Sequence, residues 1–262
     1  MQEWLRHPAV QGGLAPLLAG MAAALALFPV RLSGLAAAAG FFTAVYLTGQ
    51  LGLEKKLLML SLAAPLLGAL VDLAFRPTRA AGVVLGIAFG VACFWAFLTT
   101  VGEFPPQRLV LYAIGVASIV AATVALSVLS HDEPPRAAAS GVGLGLAAGV
   151  IAHLGGAKLL TLWGFGLAAG SAGFLVITMI LGRRVVAGAA LTLSVGVIGS
   201  LVAVAVALQR GLAWYHAALF AAIPLAVRLP IPRRSPAGQA IMALVYSLAV
   251  AAFVCLLVNR GK

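Results

Sequence analysis

Asp72 is the only acidic residue that falls inside an apolar run, and Arg76 follows it four residues later. That spacing places both side chains on one face of a helix. A carboxylate at membrane depth is costly, so it is a default candidate for proton or cation coupling. The plainer reading is an interfacial ion pair with Arg76 that ends the segment. His153 and Lys158 flank Gly155-Gly156 at a turn. A histidine there can titrate near neutral pH if it faces a cavity, or it simply meets head groups or backbone. His216 follows Trp214-Tyr215 and reads the same way, with an interfacial role as the plainer one. Asp72, His153, Lys158 and His216 are therefore the candidate substrate- or ion-binding residues. His7 and His131 lie in polar connections. No two histidines share the close spacing a metal or haem site needs, so neither a metal nor a cofactor is expected.

Enzymatic chemistry finds little support. Ser140-Gly141 and Ala152-His153-Leu154-Gly155-Gly156 look like fragments of rhomboid-type intramembrane serine proteases. In that family the serine and the histidine sit on different helices. Here thirteen residues of one segment separate them, which on a straight helix is about 20 Å. A nucleophile and its base must reach hydrogen-bond distance, so the protease reading is rejected. There is no aspartate-rich pair for prenyl transfer, no glycine-rich phosphate loop with its Lys-Ser/Thr, and no carboxylate pair for acid–base hydrolysis. The expectation is a protein that is not an enzyme and has no catalytic residues.

What must position these few polar groups is a set of membrane helices. Hydrophobic residues make up 63% of the 262, and only 9% are charged. A soluble domain carries roughly 25% charged residues, so this chain cannot cover a water-facing surface. The mean hydropathy is +1.12. The net charge of +11 comes from residues set singly or in pairs between apolar runs, such as Lys55-Lys56, Arg183-Arg184 and Arg233-Arg234. That is how loops meet anionic head groups, not how a protein meets nucleic acid. Membrane lipids, and possible fellow membrane subunits, are the expected partners, and a cell inner (plasma) membrane the expected location. Cys93 and Cys255 sit inside apolar runs and read as small buried hydrophobes. The start, MQEWLRHPAVQGG, does not read as a secretory signal, so the first apolar run is expected to stay attached.

A span needs about 20 apolar residues. Prolines, glycines and charges divide the chain into ten: about 13–29, 33–50, 57–75, 80–101, 108–130, 137–154, 159–181, 185–208, 212–228 and 238–258. The first run is short, and the first pair could instead form a re-entrant hairpin. The most polar connection, His131 to Arg136, divides residues 1–130 from 137–262. The halves resemble each other at an offset of about 130 residues: GLAPLLAGMAAALAL with SGVGLGLAAGVIAHL, and LSGLAAAAGFFTAVYL with LWGFGLAAGSAGFLVI. FPPQRLVL and RSPAGQAI open the last span of each half. An odd number of crossings would invert the second copy. The alternative is that any two Ala/Leu/Gly-rich spans look alike. Sidedness is undefined, because the basic residues divide almost evenly between the two faces.

Small residues recur every four positions: Gly82, Gly86 and Gly90; Gly141, Gly145 and Gly149; Gly188, Thr192, Gly196 and Ser200. Such stripes let helix backbones approach closely in lipid. Pro65 and Pro224 lie within apolar runs and permit kinks. Tryptophans and tyrosines gather near span ends, as in aromatic belts. The reading that follows is an all-α membrane protein of about ten helices, arranged as two inverted five-helix repeats. Its expected function is that of a permease moving a small or amphipathic solute by alternating access. The alternative is a non-catalytic membrane subunit that scaffolds a larger complex. A lipid-handling protein with a groove open to the bilayer is a third reading.

Overall fold

The computed structural model describes Trp4 and residues 7–49, 55–74, 79–101, 105–182, 185–209, 217–231 and 235–260. Within them the chain is all-helical. Lipid offers the backbone no hydrogen-bond partners, so apolar runs of this length close their bonds internally as helices. In chain order these are α1 (Val10–Ala26), α2 (Ser33–Thr48), α3 (Lys55–Ala74), α4 (Arg79–Val101) and α5 (Pro106–Val128). After the central linker come α6 (Pro134–Leu154), α7 (Lys158–Leu181), α8 (Gly188–Gln209), the short α9 (Ala222–Ala226) and α10 (Pro236–Arg260). Prolines at the first turns of α5 and α6 mark starts where no N–H is needed.

Six of these helices are long and apolar enough to cross a membrane, which makes the chain a multi-pass helical membrane protein. α1 and α2 are shorter, and the turn between them runs through Arg31 in the left-handed region, with φ of 60°. The run expected to span 212–228 differs. Its described part is helical over 217–226, tightening to a 3-10 turn at Leu219–Ala221 before the five residues of α9, with Pro224 inside. Proline cannot donate to the preceding turn, and the chain leaves the helix at Val227–Leu229. Ten full spans are therefore not found among the described residues.

The middle of the bundle is α6, α7 and α8. In α8, 94% of the spanning window is buried, against 28% in α3 and in α10. α7 packs on α6, α2 and α1; α8 takes α3 and α5 on its flanks; α10 lies on α6; α4 pairs with α5. Close approach depends on missing side chains. A Cβ on Gly170 of α7 would meet the Gly40 Cα of α2 at 2.8 Å, and one on Gly20 of α1 would meet the Gly170 carbonyl oxygen at 2.7 Å. Three helices thus converge on one glycine. The other stripes pack as well: Gly145 against Ala168 and Gly164 of α7, Gly90 against Ala117 of α5, and Gly196 against Val124 of α5. The outward faces of α3 and α10 carry Leu62, Leu66, Leu73, Ile241, Val245 and Phe253 exposed, as a lipid-facing surface does.

Two pairings join equivalent positions of the two halves, α2 with α7 and α3 with α8. Two others do not follow that symmetry. α10 packs on α6 within its own half, whereas α5 packs on α8 of the other.

Candidate functional site

The end of α3 meets the start of α8. Gly68 of α3 leaves its face bare where it crosses Ala189 and Ala190, since a Cβ there would meet the Ala190 Cα at 2.7 Å. One turn later on the same face stands Asp72. Its Oδ1 accepts the Ala189 N–H at 2.7 Å and its Oδ2 accepts the Ala190 N–H at 2.8 Å. The first N–H groups of a helix have no partner within the helix. Asp72 supplies one from another helix, and its charge faces the positive end of the α8 dipole. Gly188, with φ of 64°, is the residue over which the carboxylate lies.

The segment ahead of α8 links this clamp to the central linker. The Gly188 N–H donates to the His131 carbonyl at 3.3 Å. His131, Asp132, Glu133 and Arg136 then wall a cavity of about 740 Å³. Its remaining walls are Pro134 and Pro135 of the linker, Thr178 and Gly182 at the end of α7, Val185 to Ala187 before α8, Ile231, and Pro236 and Gln239 at the start of α10. Its volume is that of a small-molecule site, but its wall is more polar than is usual for one. Beneath it Ala139, Val227, Ala243 and Ile231 pack together. The non-helical stretch around Leu229 and Pro230 runs beside these groups. It is held by the Tyr246 hydroxyl, which donates to the Pro230 carbonyl at 3.3 Å, and by Arg136 Nη2, 3.5 Å from the Leu229 carbonyl. Ala243 is the eighth residue of α10, about 10 Å along it at 1.5 Å per residue. Irregular backbone at such depth is tolerated where it is buried in protein or lines a watery cavity.

Helix N-termini converge on this cavity, yet they offer it few free donors. The first N–H groups of α8 go to His131, Asp72 and Ala187. α6 opens on two prolines, and Gly238 of α10 donates to the Ser235 hydroxyl at 3.2 Å. The polar character comes from side chains instead. Glu133 Oε2 accepts from Arg136 Nε at 2.8 Å. The imidazole of His131 is mostly buried, with Nδ1 3.0 Å from the Val128 carbonyl and Nε2 3.0 Å from Asp132 Oδ2.

The three sequence candidates among the described residues do not come together. Asp72 stands at the linker end. His153 and Lys158 are exposed at the other end of α7, a 24-residue helix about 36 Å long. His216 and Arg76 lie outside the described residues. The linker, legible in the sequence only as a boundary, forms the cavity wall. The available signal was its density of titratable groups, four in six residues.

Among the described residues the buried interior carries hydroxyls rather than charges. Thr123, Ser127, Thr178 and Thr192 each donate to the carbonyl one turn back. Ser61, Ser140, Ser171 and the Trp163 indole N–H are buried without a hydrogen-bond partner among the described residues.

The class these observations define is a polytopic helical membrane protein with a polar cavity at one end of its bundle. No known family model, curated protein or solved structure matches the chain.

Proposed function

We propose that the protein is a permease of an inner (plasma) membrane, moving a small or amphipathic solute by alternating access. The observation that supports it most is the cavity at the linker end. Charged groups of both signs stand there beside Val185, Ala187 and Ile231, so a solute with one polar and one apolar part would find a partner for each. A short, proline-containing helix followed by irregular backbone beside the cavity also accords with transporter sites, which favour discontinuous helices. The weak resemblance of the two halves, with α2–α7 and α3–α8 joining equivalent positions, supports an inverted duplication.

One observation favours the second reading, a non-catalytic subunit of a larger complex. The described interior holds hydroxyls and no buried charge, whereas ion-coupled carriers keep ionisable groups at depth. Purification and reconstitution separate the two. A particle stable alone in detergent that gives solute uptake in liposomes supports the permease. Obligate co-purification with another chain, and no uptake across a panel of amino acids, amines and short-chain acids, supports the subunit.

A further inference from the structure

We propose that the path inward from the cavity has a hydrogen-bonding site at Ser140 and Ser171, and that the solute it takes is small, uncharged and rich in hydrogen-bonding groups, as a polyol or a urea is. The proposal rests on the permease reading and names its substrate class. Ser140 and Ser171 are 1% and 0% exposed, and neither hydroxyl has a partner among the described residues. Other buried hydroxyls of the bundle are satisfied within their own helix: Thr123, Ser127, Thr178 and Thr192 donate to the carbonyl one turn back. Ser171 turns away from that bond. Its Oγ stands where a Cβ on Gly141 of α6 would begin, so it points across the helix interface toward the residue next to Ser140.

Both serines lie directly inward of the cavity wall. Thr178, a wall residue, is seven positions beyond Ser171 on α7, two turns or about 10 Å along the same face. Arg136, another wall residue, is one turn, about 6 Å, before Ser140 on α6. Only apolar residues lie between in each case. The two hydroxyls are therefore the next side-chain hydrogen-bonding groups inward on these helices, and each offers one donor and two acceptor lone pairs. α6 and α7 meet closely there, so a solute reaches them as the two helices part in the transport cycle.

Charge decides the class of solute. The buried polar residues among those described are all serines and threonines. An ion at that depth would find no counter-charge and would carry its full desolvation cost. A neutral hydroxyl or amide costs far less, and a hydrogen bond to a serine offsets it. The charged groups of the cavity wall also face one another: Arg136 Nε donates to Glu133, and Asp132 stands against the His131 ring. An interior without charge counts against an ion-coupled carrier, but it is what an uncoupled carrier of neutral solutes needs.

The test is entry of radiolabelled solutes into liposomes holding the full chain, with glycerol and urea as neutral probes and choline and gluconate as charged ones. Glycerol or urea should enter faster than into protein-free liposomes, and choline and gluconate should not. Ser140→Ala combined with Ser171→Ala should lower the neutral flux by about tenfold, a hydrogen bond being lost at each position, with no loss of thermal stability in detergent. Each single replacement should lower it by about threefold, which covers the case in which the double variant does not fold. Ser61→Ala removes another hydroxyl without a partner among the described residues. It lies on α3, none of whose described residues lines the cavity, and the flux should stay as it was. Unchanged flux in the serine variants overturns the proposal. So does entry of an amine or an acid without entry of glycerol or urea, and that result leaves the permease reading standing. Entry of no solute at all fails the permease reading, and this proposal with it.

Discussion

The Asp72 carboxylate lies where a side chain on Gly188 would begin: an ideal Cβ at Gly188 falls on its Oδ2. Both residues serve the same end. Gly188 takes a left-handed φ that admits the close approach. Asp72 uses that approach to reach the next two N–H groups of α8. The carboxylate caps a helix start from a neighbouring helix.

Asp72→Asn should therefore cost stability. An amide can accept one of the two N–H bonds, while its NH₂ group faces the other. The expected loss is about 1–3 kcal/mol, the range for stranding a buried donor. Thermal unfolding in detergent would reveal it as a lowered transition temperature. Unaltered thermal stability would count against the clamp.

Gly188→Ala should be worse. Alanine is strained at a φ of 64°, on the order of 1–3 kcal/mol, and its methyl group also displaces the carboxylate. Because the two residues share one space, the effects should not add. In a double-mutant cycle with Asp72→Ala, the pair should cost less than the sum of the single changes. Additive losses would show that the contact is not shared.

Gly170→Ala tests the convergence of α1, α2 and α7. The new methyl group would meet backbone of Gly40 and Ala36 at 2.8 and 2.9 Å, which no rotamer change relieves. Overpacking of this kind costs about 1–3 kcal/mol. The expected signature is protease sensitivity appearing in α1 and α2 while the α8 region stays protected.

The buried serines should divide into two groups. The Ser247 hydroxyl of α10 donates to the Ala139 carbonyl of α6 at 2.6 Å, and Ser247→Ala should cost about 1 kcal/mol. The Ser140 and Ser171 hydroxyls have no partner among the described residues. Their replacement by alanine should be neutral or stabilising, because an unsatisfied buried hydroxyl already carries its desolvation penalty. Equal losses at all three sites would overturn the distinction.

The sequence alone determined that lipid surrounds this chain, and it located most of the helices. Apolar runs bounded by Pro, Gly and charge set the ends of α3, α7 and α10 to within about two residues, because in hydrocarbon the backbone has no alternative to the helix. The glycine stripes were legible for the same reason: where every side chain is apolar, size decides which faces meet. The end of α9 was not legible, since hydropathy over 212–228 does not show that the chain leaves the helix after Ala226. Only the tertiary structure decided what Asp72 and the linker do. Asp72 is 117 residues from Ala189 in sequence, and no local pattern connects a carboxylate to a helix start that far along the chain. His131 likewise looked like a loop residue until the fold set the Gly188 N–H, far along the chain, against its carbonyl. Burial can be read from composition, but a polar group's role depends on which partner the fold sets within 3 Å of it, and that is fixed by how the helices pack.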